Sequence, residues 1–152
     1  MAYSFGAQIA EVSVDPETGF VTVERIVVAH DVGRAINPQI VEGQIDGQVF
    51  SGMSQVLYEE VLMEDGQMLN PSRLDYKMPR STDVPDIKVI DIITDDPDGP
   101  FGAKEASEGS IVSTPPALVD ALHDATGIWF KELPVTPEKI VKALKEKGRW
   151  PL

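Results

Sequence analysis

Two β-rich stretches flank a turn near the start of this chain, and together they limit what the rest can build. Ala7 to Val14 alternates in part, with Ala10, Val12 and Val14 on one face, whereas Phe20 to Ala29 ends in the unbroken apolar run Ile26-Val27-Val28-Ala29. Between them Asp15-Pro16-Glu17-Thr18-Gly19 has strong turn chemistry, so the segment reads as a β-hairpin. A strand without alternation is one covered on both faces, so the second strand demands layers that the remaining sequence has to supply. The chain also enters its first strand within a few residues of Met1. That abrupt start reads as a cut through a longer polypeptide, or as a subunit that completes another chain's fold.

The remaining elements follow from caps and periodicity. Asn37 is placed to cap a helix with Pro38 at its first position, and Ile36 and Val41 suit a hydrophobic staple. The helix is expected from about Pro38 to about Gln55, with Ile45, Val49, Met53 and Val56 on its core face. Val56 to Met63 reads as a strand, Asp65-Gly66 as a hairpin turn and Met68-Leu69 as the return. Asn70 to Arg80 has two prolines and no period, which makes it an extended connector, and Ile87 to Ile93 is an apolar strand. Thr114 is expected to cap a second helix lined by Leu118, Leu122 and Ala125 and stopped by Gly127; Trp129 to Leu133 reads as a short strand. Thr136 caps the last helix, which Gly148 ends, with Val135 and Ile140 as its staple. The order is mixed α+β: hairpins and short strands packed with about three helices in one domain spanning 1–152.

Charge and composition remove several classes of function. The 152 residues carry 13 Lys and Arg against 25 Asp and Glu, a net charge of -12, which argues against nucleic acid or an anionic membrane surface as partner. Neither a membrane-spanning apolar run nor a secretory signal is present, so the expected location is the cytoplasm. With no cysteine and only His30 and His123, there is no thiolate cluster and no histidine-rich metal site, so a metal would arrive mainly on a cofactor. Both histidines read as packed or surface residues rather than ligands.

The chemically loaded stretch is Gly99-Pro100-Phe101-Gly102-Ala103-Lys104-Glu105-Ala106-Ser107-Glu108-Gly109. Small residues there let backbone approach a ligand closely, and a carboxylate held among them after a buried strand suits a general base. Glu105 and Glu108 compete for that role, and residue chemistry alone does not choose between them. A second signal is the stripe Gly43, Gly47 and Ser51 on the first helix, at a cost of about 1 kcal/mol of helix propensity per glycine. Tight helix packing and a cofactor lying along that face explain the stripe equally well. Gln44 beside it could meet a polar ligand through its amide.

Four groups of residues then occur in an order that resembles the molybdenum-binding subunit of the xanthine oxidase family. They are Asp31-Val32-Gly33 with Asn37-Pro38; Glu42-Gly43-Gln44-Ile45-Asp46-Gly47; Asp75-Tyr76-Lys77-Met78-Pro79; and Gly99 to Lys104 with Glu108. The resemblance runs from about Ala7 to about Lys145 and covers the C-terminal portion of a subunit several times longer. The Gly102 to Gly109 segment is most similar to 4-hydroxybenzoyl-CoA reductases; many hydroxylases of the family have glycines where this chain has Glu105 and Ser107.

The resemblance implies a molybdenum-dependent oxidoreductase. It places the family's catalytic glutamate, a base beside the molybdenum, on Glu108, and a variable position on Glu105. Gln44 matches the glutamine that hydrogen-bonds the pterin, with Gly43 and Gly47 on the cofactor side. The implied cofactor is molybdopterin, in its cytosine dinucleotide form. The implied partners are the remainder of the molybdopterin-binding subunit, an Fe–S subunit and an FAD subunit in an oligomeric complex. The implied reaction is reductive removal of a phenolic hydroxyl from 4-hydroxybenzoyl-CoA or a related aromatic. The alternatives are hydroxylation of an aldehyde or N-heterocycle, or a non-catalytic assembly module. The 152 residues alone are expected to hold the cofactor weakly and to be inactive, because a ligand gripped from two sides loses most of its contacts when one is absent.

Overall fold

A computed structural model describes residues 3–148. Its centre is a three-stranded sheet in the order β1 (Gly6–Val14), β2 (Val21–Asp31), β5 (Asp86–Ile92). The expected hairpin is there: β1 and β2 are antiparallel from Gly6↔His30 to Val14↔Val21, with a bulge between Glu11 and Val12. Asp15 organises the turn, its carboxylate accepting from the Glu17 amide at 2.9 Å and the Thr18 hydroxyl at 2.8 Å. β5 runs parallel to β2, from Arg25↔Asp86 to Asp31↔Ile92. Helix α1 (Pro38–Leu57) lies in the crossover between these two strands, as parallel neighbours require.

Asn37 caps α1 by accepting from the Ile40 amide at 3.2 Å, with Pro38 in the first turn. Ile45, Val49, Met53 and Val56 are all buried, as their spacing demands. Ile36 stays 61% exposed, so the staple expected at this end does not form. The helix also overruns its expected end. It continues to Leu57, and the strand expected over Val56 to Met63 shrinks to the ribbon of β3 (Met63–Glu64) and β4 (Gln67–Met68). Val56 is a core residue of the helix, and its apolar neighbourhood imitates a strand only because helix and connector share it. Between the two short strands Asp65 and Gly66 both adopt positive φ, 46° and 78°, the geometry of the expected two-residue turn.

Helix α2 (Glu108–Thr126) starts six residues before the expected cap. Ser107 is its N-cap, so Thr114, Pro115 and Pro116 lie inside it; Thr114 is fully buried and its hydroxyl donates to Ser110 O at 3.0 Å. A proline pair looks like a helix start in sequence, but here Glu105 satisfies the true start from outside the helix. Leu118 and Leu122 face the core as expected, whereas Ala125 is exposed and Thr126 takes the buried position; Gly127 closes the helix at φ 68°. Residues 129–133 form no strand: Trp129 instead stacks on His123 with ring centroids 3.9 Å apart. Helix α3 (Pro137–Glu146) is capped by Thr136, and Val135 and Ile140 are both buried beside its first turn.

Helices α1 and α2 pack on each other at one glycine. A Cβ on Gly52 would stand 2.7 Å from Thr114 Cβ, so Gly52 is what lets the two backbones close. On β2 the side chains of Ile26, Val28 and His30 are buried, while Val27 and Ala29 on the other face are only half covered. Registered with them are Ile9, 69% exposed, and Ile90, 40% exposed. The expected cover on both faces of β2 is thus complete on one face only.

Candidate functional site

The site is built where the C-terminal ends of β2 and β5 meet the loop leading into α2. Two of the sequence groups, distant in the chain, cross-pair here. Lys104 N donates to Val32 O at 2.9 Å, Arg34 N donates to Gly102 O at 2.9 Å, and Gly33 bridges Ala103. Gly33 sits at φ 62°, and a side chain there would run into the Gly102 carbonyl and come within 2.8 Å of Lys104 N. The glycine is therefore required by both conformation and crowding.

A buried ion pair locks this crossing. Lys104 Nζ lies 2.6 Å from Asp31 Oδ2 and also donates to the Thr94 hydroxyl at 2.9 Å. The Thr94 hydroxyl and the Gly33 amide donate to Asp31 Oδ1 at 2.6 and 3.1 Å. Burial alone would push the Asp31 carboxyl up, but Lys104, Thr94 and Gly33 outweigh it and hold the group below the usual carboxylate range.

Beyond Lys104 the two competing glutamates separate in role. Glu105 Oε1 meets Nε2 of the buried His30 at 2.7 Å, and Glu105 Oε2 accepts from the amides of Ser107 and Gly109 at 3.0 and 3.2 Å. Burial opposes its ionisation; the two amides and then His30 outweigh that, so the carboxyl lies below its usual range. Glu108, in the first turn of α2, is exposed, and among the described residues its carboxylate meets no donor. Glu105, Ser107, Glu108, Gly109 and Val112 line an open depression. His30 is thereby a packed residue, as its sequence context suggests, and His123 stacks on Trp129.

The helix α1 face comes to the same place. The Ser107 hydroxyl donates to Gln44 Oε1 at 3.4 Å, so Gln44 stands against the residue preceding Glu108. Gly43 and Gly47 are exposed, and a Cβ on either would find no atom within 4 Å. Tight packing, one of the two explanations for the stripe, therefore fails within this chain; Gly52, outside the stripe, is the packing glycine. Among the described residues no group of three or more His, Asp and Glu could hold a metal ion, and no helix is long and apolar enough to cross a membrane. The residues at this site that sequence reasoning passed over are His30 and Gln8. Their signal is visible only in three dimensions, because each acts on a residue more than seventy positions away.

Residues 1–85, more than half the chain and including Gly43, Gln44 and Gly47, match the model of the molybdopterin cofactor-binding domain. The chain belongs to that family, within the xanthine oxidase group. This molybdopterin cofactor-binding domain is 36% identical over 147 residues to the probable hypoxanthine oxidase of Escherichia coli (strain K12), covering 95% of the chain and 15% of that protein. It superposes on quinoline 2-oxidoreductase from Pseudomonas putida 86 with a TM-score of 0.83 and 37% identity, over 89% of the chain and 18% of the other. It also superposes on reconstituted CO dehydrogenase from Oligotropha carboxidovorans with a TM-score of 0.89 and 27% identity, over 97% and 19%. The mixed α+β architecture is thus that of the family's cofactor-binding domain, and the chain spans less than a fifth of the length of these relatives.

Proposed function

We propose that this chain is the molybdenum-cofactor-binding portion of a xanthine oxidase family oxidoreductase, a single domain acting within a larger complex, and that Glu108 is its base. The observation that carries the reading is the Glu108 carboxylate, held in a helix turn yet without a donor among the described residues. The residues present fit the cofactor. Gly43 and Gly47 leave open space along α1, the Gln44 amide between them is exposed, and Gln44 is tied to the Glu108 turn through Ser107. Gln44 would bond the polar edge of the pterin, and Gly43 and Gly47 would let it lie close to the helix. Bound there, the molybdenum cofactor supplies two-electron redox chemistry. Glu108 accepts the proton that the attacking group releases at an electron-poor carbon, and the ion pair of Asp31 and Lys104 holds the loop that presents it.

The half-covered sheet face with Ile9 and Ile90 supports the remainder of the molybdopterin-binding subunit as a partner. An Fe–S subunit, an FAD subunit, the cytosine dinucleotide form of the cofactor and a cytoplasmic location complete the reading. Glu105 and Ser107 in the loop support reductive dehydroxylation of 4-hydroxybenzoyl-CoA or a related aromatic. The names of the hypoxanthine oxidase and quinoline 2-oxidoreductase relatives support a hydroxylase of an N-heterocycle with equal weight. Glu108→Gln in the complete complex tests the base: turnover should vanish with molybdenum content intact, and unchanged turnover would overturn the assignment of Glu108 as base. Assaying the complex with 4-hydroxybenzoyl-CoA under reductant, and with N-heterocycles under oxidant, separates the two substrate readings.

A further inference from the structure

We infer that Glu105 is the positioning residue that fixes Glu108, acting as a clamp between the sheet and the first turn of α2; the inference rests on Glu108 being the base. The backbone amides that Glu105 Oε2 accepts, Ser107 and Gly109, are those immediately before and after Glu108. Its other oxygen is anchored on His30, which is 2% exposed and belongs to β2. One carboxylate therefore ties both sides of Glu108 to a strand in the core. Gly109 is part of the same device, since a Cβ there would run into Glu105 Oε1 and stand 2.7 Å from His30 Cε1.

This turn has particular need of such a clamp. Pro115 and Pro116 lack the N–H groups that would bond the carbonyls of Ile111 and Val112, so the start of α2 is joined to the rest of the helix by fewer bonds than usual. Ser107 gives no side-chain cap. Orphan amides at a helix start need an acceptor, and Glu105 supplies it from outside the helix. Gln8 on β1 steadies the same segment, donating to Ser110 O at 2.6 Å and accepting from the Thr114 hydroxyl at 2.8 Å.

The test is made in the complete complex with Glu105→Ala and Glu105→Gln. The alanine variant should lose about tenfold or more in kcat, with molybdenum content retained and KM nearly unchanged, since misplacing a catalytic group costs rate rather than binding. Glu105→Gln keeps an oxygen for the amides and turns an NH2 to His30 Nε2, which accepts once the ring hydrogen moves to the unpartnered Nδ1, so it should restore most of the rate. Backbone hydrogen exchange over 105–112 should quicken in the alanine variant and not in the glutamine one. Wild-type kcat in Glu105→Ala, no rescue by Gln, or unchanged exchange would each overturn the clamp. Turnover retained in Glu108→Gln overturns the base reading and the positioning role of Glu105 with it; turnover lost there, beside wild-type kcat in Glu105→Ala, overturns the clamp alone.

Discussion

Replacing Lys104 by Met would keep most of its stem volume while removing the only cation bonded to Asp31 among the described residues. The Asp31 side chain is 6% exposed and that of Lys104 11%, so the carboxylate would be left buried with the Thr94 hydroxyl and the Gly33 amide as its remaining donors. Breaking one side of a buried pair costs about 3–5 kcal/mol. The lower end, about 3 kcal/mol, applies because two donors remain and water reaches the edge of the site. With a urea m-value of about 2 kcal/mol/M, the unfolding midpoint of the chain at pH 7 should fall by about 1.5 M. Asp31→Asn in the Met background should recover part of this, because a neutral amide needs no counter-charge and still accepts from Thr94 and Gly33. The sign with pH follows from a folded Asp31 pKa depressed below its ordinary value of about 3.9. Its stabilisation is complete above about pH 5 and fades as pH falls past the unfolded value and through the lower folded one, so wild type and Lys104→Met should converge in acid. A Lys104→Met midpoint equal to wild type at pH 7, or a gap that persists undiminished at pH 3, would refute the buried-pair account.

Glycine substitutions on α1 should split by position. Gly52→Val should destabilise by about 1–3 kcal/mol through collision with Thr114, while Gly43→Ala and Gly47→Ala should each stabilise the chain by up to about 1 kcal/mol, read by urea unfolding. In the complete complex those same two alanines should lower molybdenum content. Gly109→Ala should mimic loss of Glu105, reducing kcat with the cofactor retained, because its Cβ takes the space of the Glu105 carboxylate.

Elements marked by local chemistry were legible in the sequence. Asn37-Pro38 and Thr136-Pro137 announce α1 and α3, and Asp15 to Gly19 announces the hairpin, because each signal and its consequence lie within a few residues. The start of α2 was not, since its acceptor is a glutamate three residues before the helix whose orientation depends on His30 of another strand. The strand expected over Trp129 to Leu133 failed for a different reason: Trp129 turns back onto His123 at the end of α2 rather than pairing with a neighbouring strand. At the site, the pairing of Asp31-Val32-Gly33 with Gly102-Ala103-Lys104 was visible only as two motifs in order. The choice of Glu108 came from family resemblance, whereas Glu105, treated in sequence as a variable position, proves to be the one with structural partners.

The long separation of those partners bears on how the site comes into being. His30 and Glu105 are 75 residues apart, Asp31 and Lys104 73, and Gln8 and Ser110 102. Closing contacts over such spans waits on the intervening strand and helix, because chain entropy must be given up before a distant contact returns anything. The contacts that hold the turn carrying Glu108 therefore all depend on strands far from it in sequence, β1 and β2. A substitution that loosens either strand would thus loosen the site without touching a residue in it.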